Sequence, residues 1–271
     1  MATYVRTRDV KIFIDPGVSV APRRYGLPPH PIENERKKKD WKKIVRYAKK
    51  SDIIIITHYH YDHHDPNNDV EIYEDKLVLI KHPTEFINWS QKRRAYYYLK
   101  KIEGLPSEII YADGKSFEFG NTKIIISPPV PHGTTTRLGW VIQVLIDDGK
   151  DRFLFSSDIQ GAPLQEQLDF ILKMNPTIAI IDGPSTYLLG RKVSEDDIKI
   201  AFKNLLKIAR KTDIRELIVD HHFLRDLEWG KWLEKWPKKR KKIIKTAADY
   251  IGQSINLLEA NRKKLYEEYQ P

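Results

Sequence analysis

The chain has 271 residues, no cysteine and a formal net charge of +10 at pH 7, from 47 Lys and Arg against 37 Asp and Glu. This length supports a full hydrophobic core and is ordinary for one sheet-rich domain, so we predict a single domain over residues 1–271. The missing cysteine excludes disulfide frameworks and thiolate metal sites, and the lack of a long apolar segment predicts a cytoplasmic protein with no membrane partner.

The first part of the chain is predicted to alternate short strands with helices. Apolar, β-branched runs predict strands over residues 10–14, 53–56, 77–80 and 108–111. Apolar residues at helical spacing predict helices over 33–50 and 90–102. Strands separated by helices are typical of parallel sheets.

The second part is predicted to begin with hairpins and to end in strand–helix units. The predicted elements are hairpins over 117–124 and 141–155, helices over 164–174 and 194–211, strands over 177–181 and 214–219, and a basic helical extension from about residue 227. A capping box from Ser194 to Asp197 opens the second of these helices. This pattern predicts a mixed α/β domain.

Histidine and aspartate are concentrated in one stretch directly after the strand predicted over 53–56. It reads Thr57-His58-Tyr59-His60-Tyr61-Asp62-His63-His64-Asp65-Pro66. Ligand crevices of α/β sheets lie at the carboxyl ends of strands. Four clustered imidazole and carboxylate groups would be costly to desolvate without a cation between them, and such groups are ligands for Zn, Mn or Fe. The stretch therefore predicts a metal site.

Later segments place further histidines and an aspartate after predicted strands. They carry His132, Asp158 and the adjacent pair His221 and His222. Seven of the nine histidines fall in these segments and in the stretch after residue 56, whereas only His30 and His82 lie elsewhere. Unrelated core histidines would not be concentrated in this way, so we interpret the segments as parts of one site.

The spacing His58-x-His60-x-Asp62-His63 resembles the signature of the metallo-β-lactamase-fold hydrolases. The later histidines and Asp158 match the order of that family's other ligands, and the turn Asp15-Pro16-Gly17 is common in it. The resemblance covers about residues 10–225 and is nearest to archaeal predicted hydrolases of the superfamily. It implies an α/β (α+β) fold, the four-layer αββα sandwich.

The resemblance also implies two metal pockets. The first would consist of His58, His60 and His132, the second of Asp62, His63 and the final histidine, with Asp158 as a bridge. We expect two divalent cations, zinc first and manganese or iron as alternatives. Such a pair lowers the pKa of a shared water, so that hydroxide serves as the nucleophile.

The final ligand is either His221 or His222. Side chains alternate along a strand, so only one of the two is expected to face the site. His222-Phe223 resembles the His-Phe of the tRNA 3′-processing branch, whereas His221 stands after its strand as His58 does. We favour His222.

The predicted catalytic residues are Asp62, His64 and Asp158. His64 is a candidate proton donor, together with Tyr187, Arg137 and whichever of His221 and His222 is not a ligand; each also has an ordinary supporting or loop interpretation. Tyr61 to Asp65, with no following glycine, resembles branches that act on phosphodiesters. We predict a hydrolase of a phosphodiester or another anionic phosphorylated substrate. The alternatives are a carboxylic-ester or lactone hydrolase and a nucleic-acid-binding module with a structural metal.

Basic runs indicate an anionic small-molecule or nucleic-acid substrate. Lys238 to Lys242 lies beside Trp229, Trp232 and Trp236, and Arg93-Arg94 beside Tyr96-Tyr97-Tyr98, so these aromatic rings would stack on bases. The alternative, which we favour, is solvated basic helix faces whose aromatic residues pack in the core. Abundant Lys, Glu and Ile resemble the composition of thermophile proteins. The oligomeric state is left open.

Overall fold

The structure is a computed structural model that describes residues 1–269. Its first sheet has five strands in the order β1-β2-β3-β4-β5, of which only the β1–β2 pair is antiparallel. The strands are β1 (Thr3–Arg6), β2 (Lys11–Ile14), β3 (Ile53–Ile56), β4 (Leu77–Ile80) and β5 (Glu108–Tyr111). The parallel strands all end at the same edge of the sheet.

A second sheet of seven strands follows, with a separate two-stranded ribbon. The strands are β6 (Ser116–Phe119), β7 (Thr122–Ile126), β8 (Val130–Pro131), β9 (Trp140–Val141), β10 (Val144–Asp147), β11 (Arg152–Phe155), β12 (Ile178–Asp182), β13 (Glu216–Asp220) and β14 (Ile244–Lys245). The sheet order is β14-β13-β12-β11-β10-β7-β6, and β8 pairs with β9. The strands from β11 to β14 are parallel, whereas β11, β10, β7 and β6 are antiparallel neighbours.

Eight α-helices complete the described chain. They are α1 (Pro31–Ala48), α2 (Trp89–Ile102), α3 (Gln165–Met174), α4 (Glu195–Lys211), α5 (Trp229–Trp232), α6 (Lys238–Lys241), α7 (Ala247–Tyr250) and α8 (Arg262–Glu268). Among residues 1–269, no helix is both long enough and apolar enough to span a bilayer. The cytoplasmic location stays a prediction.

Alternate side chains of β3 face two different layers of the fold. Ile53 and Ile55 pack between the two sheets, whereas Ile54 and Ile56 pack on the opposite face with residues of α1 and α2. The outer face of the second sheet packs against α3 and α4. Each fully buried isoleucine contributes roughly 1.5–3 kcal/mol. The predicted four-layer αββα arrangement is confirmed.

The segment after residue 227, predicted as a basic helical extension, contains four short helices and the strand β14. Its α8 is attached to the start of α1 by a fully buried ion pair: the Nε and Nη2 atoms of Arg262 donate to Glu33 at 2.7 and 2.9 Å. Glu33 also accepts from the backbone of His30, the residue that caps α1. Removing one partner would leave a buried charge unpaired, at a cost of about 3–5 kcal/mol. The division into one domain stays a prediction.

Several boundaries differ from those predicted. α1 begins at Pro31 rather than at residue 33, because His30 supplies the cap and proline suits the first helical position. Strands β1, β8, β9 and β14 were not predicted; three of them have only two residues, too few for a recognisable hydrophobic pattern.

Candidate metal centre

The predicted ligands meet where several strands of both sheets end. His58 to His63 follow β3, His132 follows β8, Asp158 follows β11 and His221 follows β13. β3, β11 and β13 each pair with a strand on both sides, whereas β8 pairs with β9 alone, and the residues that follow these strands lie at one edge of the sandwich. The sequence segments that were interpreted as one site therefore do come together.

The first group contains His58, His60, His132 and Asp158. One ligand atom from each of these residues lies within 4.8 Å of every other. The Nε2 atom of His132 lies 3.1 Å from Oδ2 of Asp158, and Nε2 of His58 lies 3.7 Å from the same oxygen. All four side chains are buried or nearly so, and the set is the one predicted for the first metal.

The second group contains Asp62, His63, Asp158 and His221, with ligand atoms again within 4.8 Å. The Nε2 atom of His63 lies 3.1 Å from Oδ1 of Asp158. Nε2 of His221 lies 3.4 Å from Oδ2 of Asp62 and 3.5 Å from Oδ2 of Asp158. Asp158 belongs to both groups, which is the position of a bridging carboxylate.

The structure places His221, and not the favoured His222, in the second group, and the identity of the final ligand stays a prediction. His221 has a left-handed backbone, with φ of 62°, so the alternation of β13 does not continue through it and its ring turns into the second group. His222 instead has its Nδ1 2.9 Å from Asp182, and its backbone N–H donates to the same carboxylate at 3.0 Å. Asp158, Asp182 and His222 form another close set, but Asp182 already holds the Nδ1 atom of His222.

Supporting contacts fix the orientation of the rings. Asp15 accepts from the backbone N–H of Thr57 at 2.7 Å and from its hydroxyl at 2.6 Å, and lies 2.7 Å from Nδ1 of His63. The other nitrogen of His63 is thereby directed toward Asp158. Ser157 similarly lies 3.2 Å from Nδ1 of His58.

Sequence reasoning did not assign Asp15 or Asp182 to the site. The only available signal for Asp15 was the Asp15-Pro16-Gly17 turn, and Asp182 merely ends an apolar strand. Gly17 also has a role, because a Cβ there would overlap the backbone of His63 and His64. The turn after β2 thus packs directly on the predicted ligand loop.

Burial and neighbouring charges shift the histidine pKa values of the two groups in opposite directions. Burial lowers the pKa of His60 to about 3 and, with His63 adding to the effect, holds the pKa of His58 well below its usual value. Burial disfavours the charged form of His63 too, but Asp158, Asp15 and Asp62 outweigh it and raise its pKa to about 10. Likewise, Asp158 overcomes burial and raises the pKa of His221.

The two carboxylates of the centre are ionised. Burial alone would raise the pKa of Asp158, but His63 and His221 hold it well below the usual range. The same two histidines hold the pKa of Asp62 well below its usual range against the effect of burial. Ionised carboxylates are the form that binds divalent metals, whereas metal binding by His63 and His221 would release the ring protons that these carboxylates favour.

Five polar atoms of these groups are buried and have no partner in hydrogen-bonding geometry within residues 1–269, although Nε2 of His63 and Oδ1 of Asp158 lie 3.1 Å apart. They are Nε2 of His58, Nε2 of His63, Nδ1 of His132, Oδ1 of Asp158 and Nε2 of His221. A buried polar atom without a partner costs about 1–3 kcal/mol, so a concentration of five requires compensation. Cations held by the two groups would provide it, and the residues present therefore fit a pair of divalent metals.

The other candidate proton donors lie outside both groups. His64 is fully buried among Tyr59, Tyr61 and Tyr98, its Nδ1 is 3.0 Å from the carbonyl of His60, and burial lowers its pKa to about 3. The structure thus does not support His64 as a catalytic acid.

Arg137 and Tyr187 have different surroundings. Arg137 lies on the exposed turn Thr136–Leu138, and its carbonyl accepts from Asn88. The hydroxyl of Tyr187 lies 3.4 Å from Nη1 of Arg225. Tyr187 is therefore connected to the centre through that arginine.

A cleft of about 560 Å³ opens beside the second group. Asp62, His221 and Arg225 line its inner end. The Nη2 atom of Arg225 lies 3.9 Å from Oδ2 of Asp62. Residues of α1 form one side and 256–260 another, and the cleft is therefore the route by which a substrate would reach the second group.

Sequence comparison finds close relatives along nearly the whole chain. A UPF0282 protein of Sulfurisphaera tokodaii is 50% identical over 274 residues, covering 98% of this chain and 88% of that protein. A UPF0282 protein of Korarchaeum cryptofilum is 48% identical over 273 residues, covering 99% and 90%. The chain belongs to the UPF0282 family. No family model matches the sequence. The archaeal relationship predicted from the motifs is confirmed.

Solved structures resemble this UPF0282 member in fold. A possible metal-dependent hydrolase from Veillonella parvula has a TM-score of 0.58 at 14% identity, covering 92% of this chain and 94% of that one. The metallo-β-lactamase fold protein YhfI from Bacillus subtilis has a TM-score of 0.52 at 15% identity, covering 91% and 86%. The predicted metallo-β-lactamase fold is therefore confirmed.

Proposed function

We propose that this UPF0282 protein is a dinuclear metal-dependent hydrolase that acts on a phosphodiester or another anionic phosphorylated substrate. The supporting observation is that two groups of four ligands share Asp158 and contain the buried atoms without partners. The structural neighbour from Veillonella parvula is itself described as a possible metal-dependent hydrolase. Zinc suits the imidazole and carboxylate ligands best, with manganese or iron as alternatives.

The chain's own residues would hold the metals and exclude water around them. His58, His60 and His132 would hold the first, Asp62, His63 and His221 the second, and Asp158 would contact both. Such a pair supplies a Lewis acid for the substrate oxygen and lowers the pKa of a water at the site. Asp15 keeps Nδ1 of His63 engaged so that Nε2 faces the centre.

Arg225 supports an anionic substrate. It lies between the second group and the cleft, and its guanidinium contacts Tyr187 and Glu259. Burial disfavours its charge, but Tyr187, Glu259 and Asp62 raise the pKa of Arg225 above its usual range. A permanently charged guanidinium matches the geometry of a phosphate. Lys37 adds a further positive charge along the cleft, whereas Arg36 and Lys43 are paired there with Asp40.

The carboxylate shared by the two groups argues against a purely structural metal site, because structural zinc sites are usually closed and hold one ion.

The test measures the rates at which the metal-reconstituted full chain hydrolyses different activated substrates. Hydrolysis of bis(p-nitrophenyl) phosphate is expected to exceed that of p-nitrophenyl acetate and of lactones, and His60→Ala is expected to abolish it. Faster turnover of every ester or lactone than of the phosphodiester would contradict the substrate preference. Absence of metal uptake on reconstitution would contradict the whole proposal.

A further inference from the structure

The charges of α2 differ from those of the other long helices. α2 carries Lys92, Arg93, Arg94, Lys100 and Lys101 and no acidic residue. Each of α1, α3 and α4 contains aspartate or glutamate as well as basic residues. α2 therefore carries positive charge in two clusters, 92–94 and 100–101, with no acidic residue on the helix.

The basic side chains of α2 also have different partners. In α1, Arg36 pairs with Asp40 at 2.8 Å, and in α4, Lys199 pairs with Glu195 at 3.0 Å. Within the described chain, none of the five basic residues of α2 forms an ion pair. Their charges thus remain available to a negatively charged partner.

Three of these basic groups lie over aromatic rings instead. Arg93 lies 5.0 Å from the ring centre of Trp89, Arg94 lies 5.1 Å from that of Tyr61, and Lys101 lies 5.4 Å from that of Tyr97. Such cation–π contacts hold the positive group beside a flat ring without neutralising it. The surface therefore combines ordered rings with free charge.

The rings are exposed to solvent rather than packed in the core. Trp89 is 73% exposed, Tyr96 is 71% exposed and the adjoining Phe86 is 61% exposed. Trp89, Arg93 and Tyr96 are spaced i, i+4 and i+7, so they share one face of the helix. Trp89 and Tyr96 are separated by about 10 Å along the axis at 1.5 Å per residue. We call Phe86, Trp89, Arg93 and Tyr96 the α2 surface.

α2 also supports the loops of the metal centre, through residues outside the α2 surface. Arg94 donates to the carbonyl of Tyr59 at 3.4 Å and lies over Tyr61, inside the predicted ligand loop. Asn88 and Gln91 donate to the carbonyls of Arg137 and Leu138, in the loop that follows His132. Because successive residues of a helix are about 100° apart, the α2 surface lies on another side of the helix that holds these loops.

The basic run near the C-terminus lacks such a surface. Trp236 is buried, Trp232 stacks on Phe202 with centres 5.6 Å apart, and Trp229 packs edge-on against Phe223. These tryptophans belong to the core around the second sheet. The interpretation of packed aromatics thus holds beside α6 and for Tyr98 of α2, which is fully buried, whereas Trp89 and Tyr96 of α2 are exposed.

We propose that the α2 surface binds single-stranded nucleic acid, with bases stacked on Trp89 and Tyr96 and phosphates near Arg93 and its basic neighbours. Unpaired bases expose faces that stack on aromatic side chains, whereas a duplex buries those faces. A binding role for this surface stands on its own. Its use to present a phosphodiester to the metal centre rests on the proposed function.

The test is fluorescence anisotropy of a labelled single-stranded oligonucleotide titrated with the full-length protein. Trp89→Ala and Tyr96→Ala are each expected to weaken binding at least about fivefold with an unchanged salt dependence, because each removes a stacked base. Arg93→Ala is expected to weaken binding and to reduce the slope of log affinity against log salt by about 0.7. A duplex of equal length is expected to bind more weakly.

Matched variants elsewhere serve as controls. Tyr250→Ala removes a half-exposed ring below Lys245, and Lys239→Ala removes a charge from α6; both are expected to leave binding unchanged. A denaturing gel of the oligonucleotide after each titration separates binding from cleavage, so intact but bound oligonucleotide would contradict only the presentation of the bound strand to the metal centre.

Three outcomes would contradict the proposal that the α2 surface binds single-stranded nucleic acid. The first is no binding at low salt. The second is an equal loss in Lys239→Ala. The third is binding to vesicles of anionic phospholipid that depends on Trp89 while the oligonucleotide does not bind.

Discussion

The two ligand groups share Asp158 but differ in charge. The first has three histidines and one carboxylate, and burial lowers the pKa of His58 and His60. The second has two carboxylates and two histidines, and those carboxylates raise the pKa of His63 and His221. The first group therefore offers mainly neutral nitrogen ligands, whereas the second favours the charged forms of both its histidines and its carboxylates. The two halves of one centre should respond differently to substitution.

Loss of the shared residue is expected to have the largest effect. Asp158→Ala should reduce the metal content from about two ions per chain to below one and lower the hydrolysis rate more than about 100-fold, because it removes a ligand from both groups. Elemental analysis of reconstituted protein measures the content. Asp65→Ala is the control, since Asp65 lies in the same motif but, within residues 1–269, accepts hydrogen bonds from Asn67 and Asn68 alone. Equal metal loss in both variants would contradict the shared role.

Substitution of single histidines should remove the metal from one group and leave it in the other. His60→Ala is expected to cost one metal from the first group, and His221→Ala one from the second, each with loss of hydrolysis. His222→Ala should keep two metals and lower the rate by no more than about 10–100-fold, because His222 contacts Asp182 instead. Full occupancy in His221→Ala together with loss in His222→Ala would restore the assignment that the sequence favoured.

Asp15 offers a smaller test of the second group. Asp15→Asn keeps an acceptor for Thr57 but weakens the contact that orients His63, so metal affinity should fall about 10–100-fold. Competition with a chromogenic chelator measures the affinity, and the Tm of the metal-free protein shows whether the fold is intact. An unchanged affinity with a lowered Tm would mean that Asp15 acts on folding alone.

Arg225 should produce the smallest and most selective change. Arg225→Gln is expected to raise KM for bis(p-nitrophenyl) phosphate about tenfold, the size of one charged hydrogen bond, and to leave KM for p-nitrophenyl acetate unaltered. Steady-state kinetics on both substrates check this. Arg191→Gln, on an exposed turn, is the control. A parallel rise for both substrates would remove Arg225 from anion recognition.

The parts of the centre that depend on local sequence were predictable. The run Ile53 to Ile56 predicts a buried strand, and the spacing of the candidate ligands can be read from the residues directly after it. His132 and Asp158 were also found, because each stands a few residues after an apolar segment. These residues could be predicted without knowing which distant parts of the chain are in contact.

Other parts depend on conformation or on distant partners. His221 could not be separated from His222, because strand alternation fails at a residue with positive φ. Asp15 and Asp182 gain their roles from partners 48 and 40 residues away. The exposure of Trp89 likewise depends on which face of α2 the first sheet covers. Propensity and periodicity carry no information on such pairings.

The ion pair between Arg262 and Glu33 joins residues 229 positions apart. All candidate ligands precede residue 223, whereas one wall of the cleft, 256–260, and Arg262 come from the end of the described chain. Because a nascent chain emerges from its N-terminus, every candidate ligand leaves the ribosome before that wall does. During synthesis the metal centre therefore has an interval in which it is open on this side, and the cleft is completed last.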